Sequence, residues 1–277
     1  MLITFSSCFY IIKSKFSPET YITWMNNFIS IVNNFNLVIY TDENSIKNID
    51  TKNNPNIKII IKPFEKFYNY KYKTHWEKNH EKNSSLNQIS CWELNMLWCE
   101  KINFVKETIE NKYFDTDFYG WCDIGYFRNR PNNDDNIIRN TVDTNTNELT
   151  NWPNDMFINN IDKNKIVYGL INNNGEYLKI LNYIITTKNK DGLPCIPIPP
   201  DQLSISGGFF MLYKNMINWF FDTFDLRIKT YFENDYLVRD DQMILVDIIF
   251  NNLNKFSLYV EHKPPYDVWF LFQRKLK

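Results

Sequence analysis

Acidic residues stand where apolar runs of this chain stop or start. Asp123 interrupts FYGWCDIGYFR (118–128), Asp42 follows LVIYT, and Asp240-Asp241-Gln242 opens the run MILVDIIFNN. A carboxylate delivered by a buried strand can bind a divalent ion, and the ion in turn a diphosphate. An acid at a helix start is placed to act as a general base. Gly125, two residues after Asp123, has no side chain and lets a bulky ligand approach. The pair Gly207-Gly208 offers the same close approach to a sugar, and FSLYV ends at Glu261-His262-Lys263, which adds an imidazole.

Each of these residues also has a plainer reading. An Asp after a strand is an ordinary turn or cap residue. Asp240 is well placed as an N-cap. A glycine pair inside a strand marks a bulge. A lone histidine is an ordinary surface residue. Position along the elements must decide among these readings.

The elements alternate. LITFSSCFYII (2–12) reads as a buried strand, and Ser17-Pro18-Glu19 starts a helix with Ser17 as N-cap and Pro18 first in the helix. Tyr21, Trp24, Met25, Phe28, Ile29 and Val32 follow helical spacing. Strands are expected at 36–41 and 56–63, then a frayed helix or loop over 65–85. A long amphipathic helix is expected over 90–110, and a strand at 118–122 that delivers Asp123. The Asn-, Asp- and Thr-rich residues 129–160 read as a surface excursion. A strand follows from Lys165, then an extended proline-rich connection at 194–200 and a strand from Leu203 broken by the two glycines. Helices near 214–232 and from Asp240, with a last strand from Phe256, complete the chain. Such alternation predicts one α/β domain over residues 1–277 with a mainly parallel sheet flanked by helices. Ligands of such sheets bind beyond the carboxyl ends of the strands, near the switch in strand order.

Composition narrows the class. The 277 residues carry a net charge of −1 with no basic block, which argues against nucleic acid as a partner. No run reaches the ~20 apolar residues of a membrane helix. The opening lacks the basic start and the cleavage site of a signal peptide. Five cysteines without CxxC pairs indicate reduced thiols in a cytoplasmic compartment. Abundant Asn and Ile with no alanine indicate AT-rich coding, as in a large DNA virus (acting then in the host cytoplasm) or an AT-rich microbe.

ELNMLWCEKINFVKETIENKYFDTDFYGWCDIGYFR (93–128) resembles the central block of the HtrL/YibB-like family of GT-A-type glycosyltransferases. The matching residues are Lys101, Asn111 through Phe114, Trp121, Asp123, Gly125 and Arg128. Residues 16–42 resemble the family's first helix and second strand, while 204–212 and 240–260 resemble its glycine-pair strand and late DQ helix. Together these blocks cover about half of the chain.

The resemblance implies a GT-A-like, Rossmann-like fold and transfer of a sugar from a nucleotide-sugar donor, with UDP as the expected carrier, to a hydroxyl of a glycan or protein. It implies Mn²⁺ or Mg²⁺ at Asp123, with His262 as a further ligand. Gly125 stands where the second acid of a D-x-D motif would be, so Asp123 must carry more of the coordination. Donor contacts fall to Thr4, Ser6, Asp42, Lys101, Trp121, Asp123, Gly125, Arg128, Gly207, Gly208 and Lys263. Asp241, with Asp240 beside it, is the expected catalytic base. A binding protein of the same fold that has lost catalysis, and a metal-dependent hydrolase using Asp123, Asp240 and Asp241, are the competing readings.

Overall fold

The computed structural model describes residues 1–128, 149–199, 202, 204–262 and 266–277. Much of the expected excursion at 129–160 lies outside them. The chain opens with β1 (Ile3–Phe9), every residue of which is buried. Helix α1 (Pro18–Ser30) follows; Ser17 caps it by accepting the backbone N–H of Thr20, and Pro18 occupies its first turn. Strands β2 (Asn36–Thr41) and β3 (Ile57–Ile61) come next, the first buried throughout and the second half-exposed.

The polar stretch after β3 forms short 3-10 turns and then helix α2 (Lys73–Lys82). It is anchored by Glu100 of the long helix α3 (Trp92–Glu110), which is fully buried. That carboxylate accepts the backbone N–H groups of Tyr68 (2.7 Å) and Asn69 (3.0 Å). It also accepts the side-chain amides of Asn69 (2.8 Å) and Asn103 (2.7 Å). The segment is thus ordered by one buried acceptor together with the buried rings of Phe67 and Trp76, which pack on Phe104 and Phe232.

Strand β4 (Phe118–Cys122) is buried throughout. It is followed by α4 (Asp155–Asn159), β5 (Ile166–Leu170) and α5 (Gly175–Thr186). Strand β6 (Ile205–Tyr213), α6 (Ile217–Glu233), α7 (Asp241–Asn251), β7 (Phe256–Val260) and a short α8 (Leu271–Lys275) complete the chain. Helix α5 was not expected from the sequence. Its polar lead-in reads as loop, yet Asn174 caps it and Leu181 and Ile185 are buried at helical spacing.

One sheet joins all seven strands in the order β3-β2-β1-β4-β6-β5-β7. Pairing is parallel from β3 to β4 and between β5 and β7, whereas β6 runs antiparallel to both of its neighbours. Strand β6 runs as one element across Gly207 and Gly208, but its register with β5 shifts there, between the pairs Tyr168–Phe210 and Leu170–Ile205, as the glycine pair predicts. The close approach of β6 needs a glycine in β4: a Cβ at Gly120 would lie 2.3 Å from the carbonyl oxygen of Phe210.

Alternation along β1 sends Cys8 to one face and Ile3, Phe5 and Phe9 to the other. Helices α3, α6 and α7 pack on the first face, and α1 and α8 on the second. The first layer holds a second buried acid, Asp247 on α7, which is fully buried. Lys188 donates to both of its oxygens at 2.7 Å, Tyr231 Oη to one at 2.5 Å and Asn251 Nδ2 at 2.8 Å. Among the described residues no helix is long and apolar enough to cross a membrane.

Candidate functional site

Strands β1 and β4 are neighbours, but β1 continues to β2 on one side and the chain reaches β4 only after α3. Strand order therefore switches between them, and the carboxyl edge of this pair is where an α/β sheet takes a ligand. Asp123 is the first residue beyond β4. Its backbone N–H donates to Gly208 O at 2.9 Å, one further rung of the β4–β6 ladder. Its Oδ1 accepts the indole N–H of Trp121 at 2.6 Å.

Lys101 reaches this point from the middle of α3. Its ammonium has Gly207 O at 2.9 Å, Asp241 Oδ2 at 3.0 Å and Asp123 Oδ1 at 3.3 Å. The side chains of Lys101 and Asp241 are each 8% exposed, whereas that of Asp123 is 42% exposed. Asp123 is thus the open face of the cluster, with Lys101 and Asp241 behind it. Four residues singled out in the sequence, from α3, β4, β6 and α7, meet at one atom.

The buried charges alter one another. Burial pushes the Asp241 carboxyl up to about 6 against the pull of Lys101, and Asp240 and Asp123 push it in the same direction as burial. Burial works against the Lys101 ammonium, but Asp123 and Asp241 together more than offset it and hold the group above its ordinary range. The lysine stays charged.

The glycines have a different role from the expected sugar contact. A Cβ at Gly207 would lie 3.0 Å from Asp241 Oδ2, and one at Gly208 would lie 3.2 Å from Asp123 Oδ2. The two glycines make room for the two acids. Gly125 is likewise corrected. A Cβ there would lie 2.8 Å from the Trp24 ring and 3.2 Å from Arg128 Nη1, so the glycine admits protein rather than ligand. Arg128 stacks its guanidinium over Trp24 at 4.3 Å, with Phe270 at 5.2 Å and Phe16 at 5.6 Å.

Several other expectations are corrected. Thr4 and Ser6 are fully buried, and their hydroxyls are used by Thr116 (2.9 Å) and Thr108 (2.8 Å), so neither faces a ligand. Their even register in β1 turns them into the layer under α3. Asp42 accepts the Ser45 backbone N–H at 2.7 Å and closes a turn. Asp240 is the N-cap of α7, accepting the Met243 N–H at 3.2 Å, and its other oxygen lies 3.3 Å from Arg239. His262 is exposed beyond β7, three strands away from β4 in the sheet. Lys263 lies outside the described residues.

Lys15, in the loop after β1, was missed. It lies over the Trp98 ring at 5.1 Å. Burial lowers its affinity for a proton, opposed by the charges of Asp240 and Asp241, which places it with that acidic pair. The signal was Lys13-x-Lys15 immediately after the strand that borders the switch.

Mn²⁺ or Mg²⁺ at Asp123 would have to share the carboxylate with an ammonium already 3.3 Å from it. The other expected ligand, His262, is not beside it. The donor set does not fit a dedicated divalent-ion site. No family model and no curated protein matches this chain.

Trp121→Phe removes the N–H that fixes Asp123. We expect a loss of about 1.5–3 kcal/mol, the usual worth of a hydrogen bond to a charged group, read as a lower urea midpoint. An unchanged midpoint would mean that Asp123 is positioned by Lys101 alone.

Proposed function

We propose that this protein is a GT-A-like glycosyltransferase that moves a sugar from a UDP-linked donor to a hydroxyl of a glycan or protein. The observation that carries the reading is the convergence of Asp123, Lys101 and Asp241 at the carboxyl edge of β4, beside the switch in strand order. The resemblance of residues 93–128 to the central block of the HtrL/YibB-like family supplies the reaction class. The mixed sheet with a single reversed strand supplies an architecture compatible with it.

A sugar leaving a nucleoside diphosphate develops positive charge at C1 and negative charge on the departing phosphate. Asp123, the exposed acid, faces the donor. Lys101 and Lys15 supply positive charge toward the phosphates, and fixed charge of this kind is usually the largest catalytic contribution. Asp241 takes the proton of the acceptor hydroxyl when transfer inverts the anomeric centre. The five unpaired thiols suit a reducing cytoplasm.

The deep position of Asp241, 5% exposed, favours a second reading in which donor is bound without transfer. The hydrolase alternative loses one of its three acids, because Asp240 is committed to its cap and to Arg239. A thermal-shift panel of UDP-, GDP- and CMP-sugars followed by donor hydrolysis separates these readings. Stabilisation with turnover is expected. Stabilisation without turnover leaves the binding reading, and neither effect, with or without Mn²⁺, removes both.

A further inference from the structure

The Lys101 ammonium is surrounded by three oxygens, Gly207 O at 2.9 Å, Asp241 Oδ2 at 3.0 Å and Asp123 Oδ1 at 3.3 Å. Gly207 O accepts a hydrogen bond from the ammonium, and the two carboxylates pair with it by charge, Asp241 Oδ2 having no hydrogen-bond donor among the described residues. Gly207 and Gly208 leave them space that a single Cβ would fill, and the Trp121 N–H holds Asp123 at 2.6 Å. From this geometry we propose that Lys101 is the cation of the site, standing between the two acids where a divalent ion would stand, so that the site binds its anionic substrate without a metal.

Charge balance points the same way. Lys101, Lys15 and Arg239 face Asp123, Asp240 and Asp241, three cations against three carboxylates. Another two positive charges are not needed to neutralise the acids, and an ion between Asp123 and Asp241 would sit against the ammonium, where like charges repel strongly. Asp123 is mostly occupied on its Oδ1 side, by Trp121 and Lys101, which leaves Oδ2 as the oxygen available to a substrate hydroxyl.

This inference rests on the nucleotide-sugar reading only for the identity of the anion, and the test keeps the two apart. Mn²⁺ alone is titrated into the wild-type protein, Asp123→Asn and Lys101→Met, and read by the electron paramagnetic resonance of free Mn²⁺. UDP-induced thermal shifts are then compared in EDTA and in Mn²⁺. We expect wild type to take up no Mn²⁺ that Asp123→Asn abolishes. Lys101→Met, which opens the space between the acids, should gain affinity about tenfold or more. The UDP shift should be the same in EDTA.

Mn²⁺ uptake by wild type that is lost in Asp123→Asn overturns the proposal, as does a UDP shift that EDTA removes. A folded Lys101→Met with no gain in Mn²⁺ affinity also counts against it. If Lys101→Met does not fold, the wild-type and Asp123→Asn titrations decide. If UDP shifts the protein in neither condition, the nucleotide reading fails while the Mn²⁺ titration still decides this one.

Discussion

Asp241→Asn is expected to reduce sugar transfer by about 10²–10⁴-fold while leaving UDP affinity nearly unchanged. Asp241 touches Lys101 rather than the open face of the site, and a base acts in the transition state rather than in donor binding. With its carboxyl at about 6, wild-type transfer should fall roughly tenfold per pH unit below pH 6, as the base is protonated. The acid limb should vanish in the variant. A retaining reaction would blunt both effects, because the departing phosphate can take the proton itself. Unchanged turnover in Asp241→Asn, or an acid limb that survives it, would remove Asp241 from the chemistry.

The same carboxyl makes a stability prediction whose sign is unusual for an acid. Its folded value, about 6, lies above the ordinary 3.8, so the folded protein holds the proton more tightly than the unfolded chain. The stabilisation is complete below pH 3.8 and is lost as pH rises through 6. Its size is about 3 kcal/mol across that window. Asp241→Asn should abolish this part of the pH dependence of urea unfolding.

Asp247→Ala should destabilise the fold by about 3–5 kcal/mol, against a total of about 5–15 kcal/mol for a domain. The carboxylate is fully buried, and its loss leaves Lys188 and the Tyr231 hydroxyl without their acceptor, while the Asn251 amide keeps the backbone carbonyl of residue 247 at 2.8 Å. Lys188 is 18% exposed and can turn partly to water, which favours the lower end of the range. The measurement is the urea midpoint, and a loss under about 1 kcal/mol would show that the cluster relaxes around the gap. Asp247 lies on the same helix as Asp241 but six residues on, so UDP affinity of the folded fraction should not change.

Much of the frame was legible because it depends on local signals. Ser17 and Pro18 announce α1, the helical spacing of Trp98, Ile102 and Val105 announces α3, and Asp240 fits the N-cap that it becomes. The meeting of Lys101, Asp123 and Asp241 was legible only through resemblance, since nothing local says that residues 101, 123 and 241 share an edge. The direction of β6 was not legible at all. A strand reads the same from both ends, and only its partners fix its orientation. Thr4 and Ser6 were misplaced because a strand's position in sequence does not say which of its residues stand at its open end. The 65–85 segment is ambiguous in sequence because its anchor, Glu100, sits on another element.

The reversed strand β6 also sets a timetable. In an emerging chain β1 to β4 can pair as soon as residue 122 is available, but the other edge of β4 has no partner until residues 205–213 appear. At ordinary synthesis rates that interval is on the order of 10 s. Throughout it, the apolar edge FYGWC is open to pairing with another nascent chain. Fragments ending before residue 205 should therefore aggregate, and chaperone dependence should be concentrated in that window rather than spread over the whole of synthesis.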